Sequence, residues 1–310
     1  VVPDALEVVR TKPLAAPLVI VGDGAGIVDA AGAGLLDPQR AIWFGADLAA
    51  DDELRSTVLA DPATIVLTDT NKRRARRWGT LRENLGFTER AGEDPLVDDP
   101  TDNRLELFAD IEAAGVEPDD AMTVSQQAAP FGMRASNYGN PVTYTNDDRP
   151  ALAIDGDIDT AWVVAAFAEA RGEWLEFAYD DATTLDSITL LQAQAEANRH
   201  ITEVVIRADG SELAVVALGP ESREGAGQVI ALPPHSPAQL FEIELTDLSL
   251  GRQPSYGGVS AVGFAEVQMG AAAPVAEYLR LPVALTDRLG DDLARHDLAV
   301  VMTRERSNPQ

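Results

Sequence analysis

The apolar positions in the first ninety residues fall into short runs separated by segments with helical spacing. One such segment, "DDELRSTVLA" (51–60), has an acidic start and places Leu54 and Val58 one turn apart. Another, "RRARRWGTLRENLGF", predicts a helix with Trp78, Leu81 and Leu85 on one face. Each apolar run ends at Gly or Asp and predicts a buried strand, and the three runs are 17–21, 41–44 and 64–69.

Strands that alternate with helices favour a small, Rossmann-like parallel α/β domain. We assign it to residues 1–120, with an exposed acidic linker, rich in Asp, Glu and Pro, at its end.

The texture changes near Met122, where apolar and polar residues begin to alternate with a period of two between turn signals. This pattern is typical of an antiparallel β-sandwich, which we assign to residues 121–270. Residues 271–310 are interpreted as a tail or as the start of a further β module. The strands predicted in the sandwich are 173–179, 187–193, 201–210, 213–218, 228–233, 240–248 and 261–269.

Composition narrows the classes of function. The 310 residues include 24 Lys and Arg against 51 Asp and Glu, a net charge of −27, so a nucleic-acid partner is not expected. Cysteine is absent, which excludes disulfides, thiolate metal ligands and cysteine nucleophiles. No uninterrupted apolar stretch reaches roughly 18 residues, so no membrane span is predicted.

The segment "ALAIDGDIDTAW" (151–162) concentrates oxygen ligands for a metal. Counted from Asp155, the calcium loop of helix–loop–helix proteins would need Gly at the sixth position and Glu at the twelfth, where this chain has Thr160 and Ala166. A different loop fits better. A tight Asp-Gly turn would direct the Asp155 carboxylate and nearby carbonyl oxygens to one point, with "FAEVQ" as the opposite wall; the alternative is a hydrogen-bonded turn that holds no metal.

Other candidate motifs have simpler interpretations. In "GDGAGIVD", the third glycine of a dinucleotide fingerprint should stand at position 27, which is Ile27, so a structural turn is favoured. A basic cluster either pairs with the chain's own carboxylates or contacts anionic lipid head groups. Its members are Lys72, Arg73, Arg74, Arg76 and Arg77. No nucleophile–base motif is visible, so no catalytic residue is assigned.

The metal loop, "GEWLEFAYDD", "RHITEVVIRADGSE" and "VSAVGFAEVQM" together resemble the coagulation factor 5/8 type C, or discoidin, family. This resemblance implies a galactose-binding-like jelly roll with a structural calcium, bound by Leu152, Asp155, Asp157, Thr160, Ala265 and Glu266. It also implies a glycan or lipid ligand at loops, with Asn198, Arg199, His200 and Tyr256 as candidates; a solvated loop is the alternative for each. Trp162 and Trp174 are expected to pack in the core, and His296 to lie on the surface.

The longer pattern, "GDGAGIVDAAGAGLL", "IVLTDTNKRRARRW" and then a discoidin unit, resembles a soluble extracytoplasmic part of cell-envelope arabinofuranosyltransferases. The resemblance implies a membrane parent whose catalytic segment lies elsewhere, on the extracytoplasmic face of the plasma membrane. This chain would then be a non-catalytic, carbohydrate-binding or scaffolding portion. Its partners would be cell-envelope arabinan or galactan and the rest of the parent protein.

Two alternatives of other classes remain at this point. The α/β domain would be catalytic in a free-standing glycan-active enzyme that uses the sandwich as a substrate anchor. A structural spacer would dock neighbouring domains and bind no glycan.

Overall fold

The computed structural model describes residues 15–69, 81–84, 115–139, 145–193 and 198–302. The strands among them are β1 Ala15–Val21, β2 Arg40–Phe44, β3 Thr64–Thr68, β4 Leu81–Asn84, β5 Val124–Gln127, β6 Phe131–Tyr138, β7 Trp162–Val164, β8 Trp174–Thr183, β9 Ser187–Gln192, β10 Ile201–Ala208, β11 Ser211–Ala217, β12 Gln228–Ala231, β13 Ala238–Leu248, β14 Val262–Met269, β15 Glu277–Arg280 and β16 Asp297–Val301.

The α-helices are short: α1 Gly26–Gly32, α2 Gly45–Ala50, α3 Asp52–Val58 and α4 Ala284–Leu289. Short 3₁₀ segments of four to six residues occupy Pro118–Ala121, Thr145–Asp148, Pro150–Ala153, Pro220–Arg223, Pro254–Val259 and Gly290–Arg295. Over the described ranges, no helix has both the length and the apolarity that crossing a bilayer requires.

The chain forms two compact units. Of the described residues, the first unit contains 15–69, 115–122 and 281–302, and the second contains 81–84 and 123–280. These bounds differ from the predicted 1–120, 121–270 and 271–310 at the C-terminal end. Residues 271–280 continue the second unit, whereas 281–302 return to the first.

The first unit is a four-stranded parallel sheet in the order β16-β3-β1-β2. Its central strands carry fully buried Val19, Ile20 and Ile65 because both faces are covered, as parallel sheets require. Helix α3 begins at a capping aspartate, Asp51, whose Oδ1 accepts the amides of residues 53 and 54 at 3.0 and 2.9 Å. The three predicted strands and this helix are confirmed.

Strand β16 decides where the C-terminal segment belongs. It pairs in parallel with β3 from Asp297↔Thr64 to Val301↔Thr68, so it extends the parallel sheet rather than opening a new β module. Its apolar residues do not by themselves specify a partner strand, and the fold pairs them with β3.

His296 is buried next to this strand, not on the surface as predicted. Its Nδ1 accepts the backbone N–H of Ala63 at 3.1 Å, which requires the neutral ring. Burial lowers the pKa of His296; the positive charge of Arg295 acts in the same direction and the carboxylate of Asp292 opposes it.

The second unit is a β-sandwich. A six-stranded sheet, β11-β10-β13-β8-β6-β4, faces a four-stranded sheet, β12-β9-β14-β7, and one continuous core contains residues of both. The pairs within each sheet are antiparallel. Trp162 and Phe264 stack in this core with ring centroids 6.1 Å apart, which confirms core packing for Trp162. A two-stranded ladder, β5–β15, flanks the sandwich.

Two predictions in this region are wrong. Residues 81–84, predicted as helical, form a strand because the edge of β6 offers unpaired backbone groups from Ala135 to Tyr138. Trp174 is only half-buried on the outer face of the large sheet, where the Arg134 guanidinium lies 5.6 Å from its ring centroid. The basic cluster and most of the acidic linker lie outside the described residues.

Candidate functional site

The Asp-Gly turn lies directly against the last strand of the sandwich. Gly156 donates its backbone N–H to Glu266 Oε2 of β14 at 3.0 Å, across 110 residues of sequence. Gly156 has a φ of +80°, and a Cβ there would stand 2.7 Å from Pro274, so this position requires glycine. The Val275 amide closes the same corner by donating to the Ile154 carbonyl at 2.7 Å.

Four of the predicted metal-binding residues meet around one hydroxyl. Thr160 Oγ1 lies 3.4 Å from the Leu152 carbonyl oxygen and 2.8 Å from that of Asp157. The two Asp155 carboxylate oxygens are 3.1 and 2.9 Å from it. A threonine hydroxyl has a single hydrogen, so it satisfies one of these four acceptors at a time. The Asp157 amide also donates to Asp155 Oδ1 at 2.9 Å, and the Thr160 amide donates to the Asp157 carbonyl at 3.1 Å, so the turn is closed by its own hydrogen bonds. The same convergence of carboxylate, carbonyl and hydroxyl oxygens is what a calcium site requires.

The two predicted ligands on β14 occupy an irregular part of that strand. Phe264 pairs with Gln192 and Glu266 with Leu191, so Ala265 is the extra residue of a β-bulge. A bulge redirects a residue from the regular ladder. Ala265 accordingly lines the same surface cavity, of about 550 Å³, as Leu152 and Thr160.

Burial raises the pKa of Glu266 to about 7, and the negative charge of Asp155 acts in the same direction, while the Gly156 amide opposes both. The charge of Asp155 thus disfavours the ionised form of Glu266, and a cation beside both carboxylates would relieve this repulsion.

The chemistry of this donor set fits calcium. Its side-chain and backbone donors are all oxygens, and Ca²⁺ takes six to eight oxygen ligands, carbonyls included. Within the described ranges, no three or more His, Cys, Asp or Glu side chains group as a metal site, so the predicted set depends on carbonyl and hydroxyl oxygens to complete its two carboxylates.

Among the predicted glycan ligands, Arg199 has a position that the sequence did not indicate. Its side chain is buried, with 6% of the residue exposed. The guanidinium donates to the carbonyl of Ser260 at 2.6 Å and to those of Ala165 and Ala168 at 2.8 Å each. Arg199 thus holds three loops together from inside, and three of its five N–H donors, those on Nε and Nη2, are used by protein carbonyls.

The other three predicted ligands lie in the loops that Arg199 joins. Asn198 exchanges hydrogen bonds with the backbone of Gln253, at 2.8 and 3.1 Å. The amide of His200 donates to Ser249 Oγ at 3.0 Å, and burial lowers the pKa of its ring, as do the positive charges of Arg223 and Arg252. Tyr256 is 61% exposed on the turn that follows Gln253. The structure brings both predicted loops to one end of the sandwich.

Phe167 is a candidate that sequence reasoning missed. It lies in the third loop held by Arg199, is 53% exposed and has a φ of +63°, while Ala165 has a φ of +61°. Left-handed backbone costs about 1–2 kcal/mol per non-glycine residue and concentrates at functional loops. The segment "AAFAEA" contains no local signal for this conformation, and the carbonyls of Ala165 and Ala168 in it are held by Arg199, a residue distant in sequence. We call Phe167, Leu250, Tyr256 and Val259, all exposed apolar residues of these loops, the loop surface.

The described residues therefore define a chain with a parallel α/β unit and a β-sandwich that has an oxygen-lined turn and a loop surface. Among solved structures, the chain is similar to the arabinofuranosyltransferase AftD from Mycobacteria, with 16% identity and a TM-score of 0.48. That match covers 86% of this chain and 19% of the other, so this chain spans about a fifth of the length of that protein.

The sandwich is also similar to carbohydrate-binding modules. A pectin-binding module matches with 18% identity and a TM-score of 0.34, over 48% of this chain and 94% of that one. The family 32 module of NanJ from C. perfringens, in complex with galactose, matches with 21% identity and a TM-score of 0.29, over 47% and 92%. The chain matches no protein-family model and no curated protein sequence.

These are the kinds of protein that the sequence resembles, so both similarities are confirmed. TM-scores below 0.5 establish nothing about chemistry, and the function has to be argued from the residues themselves.

Proposed function

We propose that this chain is a carbohydrate-binding and scaffolding portion of a larger arabinofuranosyltransferase-like membrane protein, with a Rossmann-like unit and a calcium-bound, discoidin-like sandwich. In this proposal it lies on the extracytoplasmic side of the plasma membrane and binds cell-envelope arabinan or galactan. Catalysis belongs to another part of the parent protein.

The observation that carries the proposal is the loop surface held by Arg199. Phe167 and Tyr256 are exposed aromatic side chains on loops joined by a single buried guanidinium. Exposed rings stack on the C–H face of a sugar, and the adjacent amide and imidazole groups of Asn198 and His200 pair with hydroxyls. Loops that are already held in place lose less conformational entropy when a ligand binds. This favours binding of a hydroxyl-rich ligand whose individual contacts are weak.

Calcium has a structural role in this proposal. The ion would be held by the carboxylates of Asp155 and Glu266, the Thr160 hydroxyl and the carbonyls of Leu152, Asp157 and Ala265. Its positive charge supplies the counterpart to these oxygens and fixes the turn to β14.

Thermal unfolding with and without calcium tests the metal. We expect 1 mM Ca²⁺ to raise the melting temperature, because an ion that binds only the folded state adds about 2.7 kcal/mol at one hundred times its dissociation constant. Asp155→Asn should abolish the increment. Asp159→Asn, in the same loop but outside the predicted ligand set, is the matched control and should retain it. Equal responses in both variants would contradict the assignment.

Titration with arabinan and galactan oligosaccharides tests the glycan ligand. We expect Phe167→Ala and Tyr256→Ala each to weaken binding about tenfold, since truncation of an aromatic contact commonly costs over 1 kcal/mol. Val229→Ala, which removes an apolar side chain 70% exposed on β12, is the control. The proposal fails if no envelope oligosaccharide binds, or if the control and the loop variants bind equally.

The relation to a membrane parent has its own test. The complete reading frame should encode a multi-span segment beside this chain, and a topology reporter fused to it should report the extracytoplasmic side. A parent without such a segment would favour the structural spacer or the free-standing enzyme.

A further inference from the structure

A groove on the outer face of the large sheet lies away from the loop surface. It has a volume of about 600 Å³, within the ordinary range of small-molecule sites. Its floor is the register pair Gly132 and Ala178 on β6 and β8. These residues leave the space open because neither has a long side chain. The loop surface is reached from the start of β8, and Ala178 lies five residues beyond Glu173, about 17 Å along the strand.

Each wall of the groove is fixed by its own contacts. On one side, the Tyr278 hydroxyl of β15 donates to Gln126 Oε1 of β5 at 2.7 Å, and the ring is 49% exposed. Arg134, also in the lining, forms an ion pair with Glu176, and its guanidinium is held over the Trp174 ring. The groove therefore offers both a pre-positioned aromatic face and a pre-positioned polar pair.

The strand that carries Gln126 is itself anchored to the sandwich. The Gln127 side chain accepts the Met133 amide at 2.8 Å and donates to the carbonyl of the same residue at 3.2 Å. Glu277, next to Tyr278, accepts the Ser125 hydroxyl and the Arg149 guanidinium. These bonds fix β5 and β15 to the sandwich, so the aromatic wall keeps its distance from the floor.

The lining selects a class of ligand. Arg134 and the Gln126 amide are donors, whereas Glu176 and Asp180 are carboxylate acceptors. Sugar hydroxyls both donate and accept, and a sugar ring presents C–H groups to an aromatic face. Two carboxylates against one guanidinium, on a chain of net charge −27, repel uronate, sulfate and phosphate groups.

We propose that this groove is a second saccharide-binding site, selective for a neutral oligosaccharide and independent of the loop surface. Tyr278 supplies the stacking face, and Gln126, Arg134 and Asp180 pair with ring hydroxyls, while the buried Glu176 holds Arg134 in place. A chain with both sites engages a polysaccharide at two points, which raises its avidity without any new contact.

The test is calorimetric titration of the full chain with galactan and arabinan hexasaccharides, and with an oligogalacturonate of equal length. Tyr278→Ala removes the stacking face, and Ala178→Gln fills the floor while leaving the Tyr278–Gln126 bond in place. Tyr256→Ala, at the exposed tyrosine of the loop surface, reports on that surface alone. Melting curves show that each variant is folded.

We expect two binding events for a neutral hexasaccharide. Both groove variants should weaken one of them about tenfold and preserve the event that depends on Tyr256. The oligogalacturonate should bind the groove at least tenfold more weakly than the neutral probes, roughly 1.4 kcal/mol. If Tyr256→Ala has no effect while the groove variants lose binding, the groove is retained and the loop surface is not. The proposed groove site is refuted if only one binding event is observed and it depends on Tyr256. It is also refuted if both groove variants bind normally, or if no neutral probe binds.

Discussion

Replacing Arg199 with methionine separates two roles for this residue, ligand contact and internal support of the loops. The substitution keeps an unbranched apolar stem and removes the three bonds to the carbonyls of residues 165, 168 and 260. A hydrogen bond from a charged donor contributes about 1.5–3 kcal/mol to stability. At the lower end of this range, the three bonds together contribute about 4.5 kcal/mol to the free energy of unfolding. Water can reach the part-buried carbonyls of Ala168 and Ser260 but not the buried carbonyl of Ala165, which reduces the expected loss to about 3 kcal/mol.

Thermal unfolding measures this loss. For a unit of this size, 1 kcal/mol corresponds to about 2–4 °C, so Arg199→Met should lower the melting temperature by about 6–12 °C. The melting temperature of Arg199→Lys should lie between those of the unsubstituted chain and Arg199→Met, because one ammonium group cannot reach all three carbonyls that are arranged around a planar guanidinium. Arg252→Met, at an exposed arginine in the adjacent loop, is the control and should change the melting temperature by less than about 2 °C.

Glycan titration of the same variants completes the comparison. If Arg199 supports the loops, oligosaccharide binding and stability should fall together in Arg199→Met and recover together in part in Arg199→Lys. A variant that melts normally but has lost glycan binding would refute the supporting role and restore Arg199 as a direct ligand.

Two further predictions concern the turn and the buried histidine. Gly156→Ala should destabilise the sandwich by about 2–4 kcal/mol, because it adds a Cβ clash with Pro274 to the cost of a left-handed residue. Gly172→Ala, with a φ of +85° but no atom within 4 Å of the new Cβ, should cost only about 1–2 kcal/mol, and equal melting temperatures would contradict the packing argument. The pKa of His296 is lower in the folded chain than its ordinary value of 6.5. The stability that its neutral ring contributes is therefore complete above pH 6.5 and is lost as the pH falls through the pKa of the folded chain. Hydrogen exchange of the β16 amides, corrected for intrinsic rates, should therefore become faster as the pH is lowered from 7 to 5. The His296→Gln variant should lose part of this pH dependence. Identical pH profiles for the variant and the unsubstituted chain would show that the Ala63 contact does not depend on protonation of His296.

The features predicted correctly from sequence are those decided by neighbouring residues. Seven strands of the sandwich, β8 to β14, follow from period-two alternation, because successive side chains of a strand point to opposite faces, whereas β6 and β7 were not predicted. Similarly, four of the six proposed metal-binding residues lie within Leu152–Thr160, so an Asp-Gly turn alone is enough to bring their oxygens together. The small and charged residues of β6 and β8 are also visible in the sequence. Only the register between the two strands shows that Gly132 lies beside Ala178 and Arg134 beside Glu176.

Tertiary structure decided the remaining features, because each depends on a partner distant in sequence. Strand β16 is a short apolar run that would suit several sheet edges, and its pairing with β3 assigned the C-terminal segment to the parallel unit. Residues 81–84 show helical spacing but became a strand at the edge of β6, where backbone pairing outweighs local propensity. Arginine is a residue type expected to bind a sugar, yet the guanidinium of Arg199 donates to carbonyls of two distant loops inside the fold. Local sequence determines how a segment can fold, whereas burial and long-range hydrogen bonds determine which groups remain available to a ligand.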